Sequence, residues 1–267
     1  MGRPLSEELL PITNHGDRKY YADNYKCWPP PFFILSITAI QLSVFVYYTA
    51  ITGEMTITGP VPLESPFIYR PDKRHHIWRF LIYAFLHAGY VHLAFNLVVQ
   101  VLVGLPLEMV HGWWRVLVLY VGGVLAGSLA TSVLHSDIYL LGASGGVYAL
   151  MAAHLPNVML NYNSMHFAIL RLLGVIFVAC ADIGFALFSQ SQQSDSLPVS
   201  YISHLSGAMA GLALGVAILR SFDPEQPHAK LTKWVATGLY TSCVIFAMLY
   251  NIMHSSVYQP SMHSIIL

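Results

Sequence analysis

Seven apolar stretches, each long enough to cross a bilayer, run at roughly 32–51, 80–105, 116–134, 138–155, 167–188, 202–219 and 234–253. A hydrocarbon core about 30 Å thick is crossed by roughly 20 residues of helix. The first stretch reads FFILSITAIQLSVFVYYTAI and the last WVATGLYTSCVIFAMLYNIM. Across all seven, the formally charged residues are Arg171 and Asp182. A soluble helix bundle would need polar helix faces, and these stretches have almost none. The charged fraction of the whole chain, 10%, is far below the roughly 25% of soluble domains. The expected fold class is therefore all-α, a polytopic membrane helical bundle. An apolar content of 55% excludes disorder, and a formal charge of zero supplies no basic field for nucleic acid. Three cysteines exclude a dense disulfide framework.

Residues 1–31 are polar, mix acids with bases, and end in Pro29-Pro30-Pro31. They have the character of neither a cleavable signal peptide nor a mitochondrial leader, so the first stretch is expected to act as its own insertion signal. Lys and Arg near span ends favour the cytoplasmic side. With the N-terminus inside, Arg3, Arg18, Lys19, Lys26, Arg115, Arg171, Arg220, Lys230 and Lys233 are cytoplasmic. Arg70, Lys73, Arg74 and Arg79, all in the first loop, are outside and argue the other way. The loop 189–201 and the tail after 253 carry no Lys or Arg, which suits the outside. The balance predicts a cytoplasmic N-terminus. The connection 52–79, rich in Pro, Gly and aromatic residues, is expected to pack as a surface structure.

Polar side chains are costly in lipid and usually functional there. The second stretch holds His87, His92 and Asn96; the fourth holds Ser144 and Tyr148; the sixth holds His204. Two crossings separate each of these stretches from the next, so all three run in the same direction. Counted from the expected span starts at 1.5 Å per residue, most of these side chains fall in the outer half of the membrane. His204, Gly207, Ala208, Gly211 and Gly215 share one helical face, and small residues at that spacing let helices approach closely. His204 is therefore predicted to face a partner helix. Ser144 with Tyr148, and His92 with Asn96, stand at i, i+4. A serine hydroxyl becomes a nucleophile when an imidazole accepts its proton, and attack on an amide creates an oxyanion that needs donors. Asn96, His92 and the Ser144 backbone N–H are suitable donors. The Gly-x-Ser-x-Gly string at 142–146 also fits a close-packing motif or the nucleophile elbow of a soluble hydrolase. The elbow needs a preceding strand, against which the apolar length of 138–155 argues.

Several separated strings together resemble the rhomboid family of intramembrane serine proteases. They are Trp78-Arg79, His87 with His92-x-x-x-Asn96, Gly142-Ala143-Ser144-Gly145-Gly146 with Tyr148, and His204-x-x-Gly207-x-x-x-Gly211. Glu108 and Arg115 stand where the family has a polar loop after its second span. The resemblance covers about 67–253. It implies a serine–histidine pair without a carboxylate, with Ser144 as nucleophile and His204 as general base. His92, Asn96 and the Ser144 N–H would form the oxyanion hole, with Gly142 in support, and Tyr148 would orient His204. Trp78-Arg79 would shape the first loop. It also implies a cytoplasmic segment over 1–31, a six-span catalytic core over 32–219, a linker and appended seventh span over 220–253, and a short tail over 254–267. That six-plus-one order, Pro29-Pro30-Pro31 and the string Leu107-Glu108-Met109-Val110-His111-Gly112 look like the animal secretory-pathway branch. Its members release ectodomains of single-pass membrane proteins, including precursors of epidermal-growth-factor-like ligands. The implied partners are single-pass transmembrane substrates and the lipid bilayer, not nucleic acid, and no cofactor or metal is implied.

Two other readings stand beside this. Rhomboid-like pseudoproteases bind membrane clients without cutting them, but they usually lack the serine or histidine that is present here. Thirteen histidines invite a metal transporter, and a membrane zinc peptidase is unsupported because no His-Glu-x-x-His occurs. His75-His76, His111, His135 and His154 are distributed over both sides, as solvated or interfacial residues would be. Asp182 is expected to be a structural hydrogen-bond partner rather than a triad member.

Overall fold

The structure, a computed structural model, describes residues 25–26, 28, 30–135, 137–192, 200–222, 229–254 and 265–266. Most of the segment 1–31, most of the loop 189–201 and most of the tail 254–267 lie outside the described residues. Seven helices of 18 to 25 residues form the fold: α1 (Phe32–Thr52), α3 (Tyr90–His111), α4 (Trp113–Leu134), α5 (Ser144–Asn161), α6 (Ala168–Gln192), α7 (Tyr201–Ile218) and α8 (Ala229–Met253). A single turn, α2 (Arg79–Ile82), precedes α3. Among the described residues, α1, α3, α4, α7 and Lys230–Met253 of α8 are long and apolar enough to cross a membrane. Helices α5 and α6 fill the two remaining expected positions. Helix α5 is less apolar because it carries Ser144, Asn157 and Asn161, and these are buried by protein rather than exposed to lipid.

Helices α4, α5 and α7 make the centre, with Leu119, Tyr120, Val124, Val147, Leu150 and Leu214 in its core. Glycines set their separation. A Cβ on Gly207 would collide with the Gly145 carbonyl, and one on Gly211 with the Ala149 carbonyl. The face read from the sequence as apposed to a partner helix thus packs on α5, in parallel register. Helix α1 is held by Glu108 of α3, whose Oε1 and Oε2 accept the N–H groups of Phe33 and Ile34, each at 2.8 Å. The first N–H groups of a helix have no partner within it, and a carboxylate satisfies them well.

Two expected spans begin differently. The stretch 80–105 breaks into α2, a 3₁₀ turn at Tyr83–Phe85, an extended Leu86 and then α3. The break is made at Gly89, whose φ of 78° favours glycine and where a Cβ would strike the Ile57 carbonyl. Helix α3 then continues to His111, so Glu108 lies inside a helix and not in the polar loop expected there. The stretch 138–155 begins instead as a two-residue strand, β1 (Tyr139–Leu140), which pairs in parallel with β2 (Ile265–Ile266). A turn at Gly142, with φ of 117°, then leads into α5. A short strand, a glycine turn and a helix starting on the serine are therefore all present, contrary to the unbroken span expected.

The connection 53–78 packs as a structured cap. Arg79 Nη1 donates to the carbonyls of Ser65 (3.0 Å) and Ile68 (2.7 Å), and Tyr69 pairs by both backbone groups with Leu140. The cap is thereby tied to the segment that delivers Ser144. At the other end of the bundle, His111 is fully buried, hydrogen-bonded to Asn157 and accepting the Arg220 N–H at Nδ1 (3.1 Å). The expectation of a solvated or interfacial His111 is corrected: it ties α3 to α5 and to the end of α7.

Candidate active site

Ser144 is the first residue of α5 and Tyr148 its fifth, His92 and Asn96 stand in the first two turns of α3 and His204 in the first turn of α7, and all three helices begin at the same end of the bundle. His92 is the third residue of α3 and His204 the fourth of α7. The breaks at Gly89 and Gly142 place these groups nearer their helix starts than continuous spans would.

Each side chain is positioned by its neighbours. Gly142 leaves room for the His92 ring, because a Cβ there would stand 2.7 Å from His92 Cε1. His92 meets His87 edge to face, with ring centroids 5.2 Å apart, and its Nδ1 is buried without a hydrogen-bond partner among the described residues. His87 Nε2 accepts the N–H of Ala143 at 3.4 Å, a long bond to the residue just before Ser144. Asn96 is buried, and its Nδ2 donates to the His92 carbonyl one turn back at 2.9 Å. That bond uses one of the two Asn96 Nδ2 hydrogens and leaves the other as a second donor.

His204 is buried, with its ring flat against Tyr148 at a centroid distance of 4.3 Å and an interplanar angle of 13°. Tyr148 stands one turn after Ser144 on α5. The contact of Gly207 with Gly145 fixes the register of α7 on α5 and sets the preceding turn, which holds His204, beside the first turn of α5. The helix turns that carry Ser144 and His204 are thus neighbours, and no hydrogen bond joins the two side chains among the described residues. Catalytic hydrogen bonds are often loose before substrate arrives. Asp182 of α6 accepts the Tyr148 hydroxyl at Oδ2, 2.6 Å away. This is the structural hydrogen-bond partnership expected for it, and its acceptor is directed at the phenol.

Gln41 and Gln100, polar residues inside apolar stretches, escape the sequence reading. Gln41 Nε2 donates to the Tyr120 hydroxyl (2.7 Å) and the Ala84 carbonyl (3.1 Å), and Gln100 Nε2 donates to Gln41 Oε1 (3.0 Å). They join α1, α3 and α4 behind the site. Polarity within a span is the signal that marks them.

A model of the rhomboid domain matches residues 74–221. The chain belongs to the rhomboid family. Its helices and this membership make it a multi-pass membrane protein. It is 39% identical over 257 residues to human "Rhomboid-related protein 3", covering 94% of this chain and 63% of that protein. It is 40% identical over 259 residues to mouse "Rhomboid-related protein 2", covering 94% of this chain and 83% of that protein. It is also 32% identical over 216 residues to "Inactive rhomboid-related protein 2" of Caenorhabditis elegans, covering 80% of this chain and 62% of that protein. This chain therefore spans less than two thirds of two of these rhomboid proteins, and rhomboid membership by itself leaves catalysis to be argued from the residues.

Proposed function

We propose that this protein is an intramembrane serine endopeptidase that cuts single-pass membrane proteins within or near their transmembrane helix. The observation that carries the reading is the close packing of Gly207 of α7 on the Gly145 backbone of α5, which supports pairing Ser144, next to Gly145, with His204, one turn before Gly207. His204 accepts the hydroxyl proton as Ser144 Oγ attacks the scissile carbonyl carbon, and later gives that proton to the leaving amine. The resulting oxyanion meets the Ser144 backbone N–H, a first-turn donor that has no partner within the helix and lies at the positive end of the helix dipole. His92 and the second Nδ2 hydrogen of Asn96 complete the donor set. Water then hydrolyses the acyl-enzyme. The substrate helix unwinds locally, because a helical amide is shielded by its own hydrogen bonds. The substrates in this reading are single-pass proteins whose ectodomains are released, epidermal-growth-factor-like precursors among them. The protein acts in the secretory pathway, at the Golgi or plasma membrane, with a cytoplasmic N-terminus.

The test is cleavage of a model single-pass substrate in proteoliposomes. Ser144→Ala abolishes cleavage while its thermal midpoint stays within a few degrees of wild type, and a mechanism-based serine-hydrolase probe labels Ser144 in the wild type alone. Cleavage retained by Ser144→Ala removes the nucleophile assignment. The second reading, a client-binding pseudoprotease, is favoured by the relative named inactive. It predicts that wild type and Ser144→Ala retain the same substrate uncut.

A further inference from the structure

Asp182 is the one acid within the seven apolar stretches read from the sequence. It sits on α6, which turns Leu173, Ile176, Phe177 and Ile183 outward. An acid on such a helix is costly unless it finds a partner, and a membrane-packing role would be met by any buried donor. The donor it has is specific. The Tyr148 hydroxyl reaches Asp182 at 2.6 Å, and a face of the same phenol ring lies flat on His204.

We propose that Asp182 is a positioning residue for His204, acting through the Tyr148 ring. The inference rests on the proteolytic reading above. A phenol is free to swing about its χ angles, and its hydroxyl fixed to a carboxylate on a second helix holds the ring in one plane. The imidazole stacked on it is then held in one plane as well, facing the first turn of α5. The arrangement has a second consequence when His204 takes the Ser144 proton. The imidazolium so formed lies over a π face, which attracts a cation, and that ring is hydrogen-bonded to an acceptor carboxylate. Both effects are larger in the transition state than with substrate merely bound, so they raise kcat and leave KM alone. The carboxylate thereby orients the base as the third member of a hydrolase triad does, but through an interposed aromatic ring and without touching the imidazole.

The test is a double-mutant cycle on the purified full-length protein in proteoliposomes, using the same single-pass substrate. Asp182→Leu and Tyr148→Phe are each expected to lower kcat about tenfold with KM within about twofold. The double variant falls no further than either single one, because the two groups act as one unit. Asp182→Asn, which keeps an oxygen acceptor for the phenol, regains most of the lost rate. A merely structural role lowers the thermal midpoint but produces neither the coupling nor the rescue. Should Asp182→Leu fail to fold, Asp182→Ser takes its place in the cycle. A folded variant with wild-type kcat, or a double variant slowed by the product of the two single effects, overturns the proposal. The wild type labelled at Ser144 by the serine-hydrolase probe, with an unchanged rate in the Asp182 variants, removes this inference alone. A wild type that neither cleaves nor labels removes the proteolytic reading and this one with it.

Discussion

A methyl group on Gly207 would enter the Gly145 carbonyl, so the separation of α5 and α7 depends on one hydrogen atom at that position. Gly207→Ala forces the backbones apart, and overpacking of this kind costs about 1–3 kcal/mol. Because His204 stands one turn from Gly207 and Ser144 next to Gly145, cleavage is expected to fall more steeply than stability. Gly174→Ala on α6 and Gly238→Ala on α8 are the controls, since a Cβ at either meets nothing within 4 Å. Those two should match or slightly exceed wild-type stability, as alanine is the better helix former. Thermal denaturation in mild detergent reads the stability and cleavage of the single-pass substrate reads the activity; a Gly207→Ala protein as stable as wild type would refute the register. Spacing within a helix made the glycine face legible in the sequence, but not the helix it faces. The same holds for Asp182: its isolation is visible in the sequence, whereas its bond to Tyr148 joins residues on different helices.

The cap over the helix starts hangs on Arg79, and one of its contacts is sensitive to acid. Arg79 Nε donates to His76 Nδ1 at 3.2 Å, and the His76 ring stacks on Trp78 at 4.5 Å. The bond requires an unprotonated Nδ1. Desolvation, and then the charges of His75, Arg79 and Lys73, hold the His76 imidazole below its ordinary 6.5, against a smaller opposing pull from Asp72. A histidine with a lowered folded-state pKa binds fewer protons folded than unfolded. Its contribution is therefore complete above about 6.5 and is lost as pH falls through the lower folded value. Amides of 65–80 are expected to exchange faster at pH 5 than at pH 7, after correction for intrinsic rates, and His76→Gln should flatten that difference. Equal protection at both pH values would show that His76 does not anchor the cap. At this scale the sequence was legible in part. Span-length apolar runs located seven helices, because lipid demands length and apolarity. Apolar composition cannot separate a lipid-facing helix from a protein-enclosed turn, so the breaks at 86–89 and 138–143 were hidden. Their only local marks were Gly89 and Gly142.

Across the whole molecule the helices are unequally enclosed. Within their most apolar windows, α4 is 61% buried and Lys230–Met253 of α8 is 11% buried. Helix α8 lies against α4 and α7, whereas the side chains of the site come from α3, α5 and α7, with Asp182 from α6 behind them. Its attachment includes polar points: the Tyr240 hydroxyl donates to the Gly122 carbonyl at 3.0 Å, and Asn251 Nδ2 donates to Ser132 Oγ at 2.7 Å. Hydrogen bonds between membrane helices are worth about 0.6 kcal/mol on average and seldom exceed about 1.7. Tyr240→Phe with Asn251→Leu is thus expected to lower stability by roughly 1–2 kcal/mol. Since α8 supplies no side chain to the site, the same double variant should keep kcat within about twofold of wild type at temperatures where it remains folded. That result would mark α8 as an appendage on a self-sufficient six-helix unit. A large fall in kcat with the fold intact would instead make α8 part of the catalytic machine, transmitting through α7, on which His204 is carried.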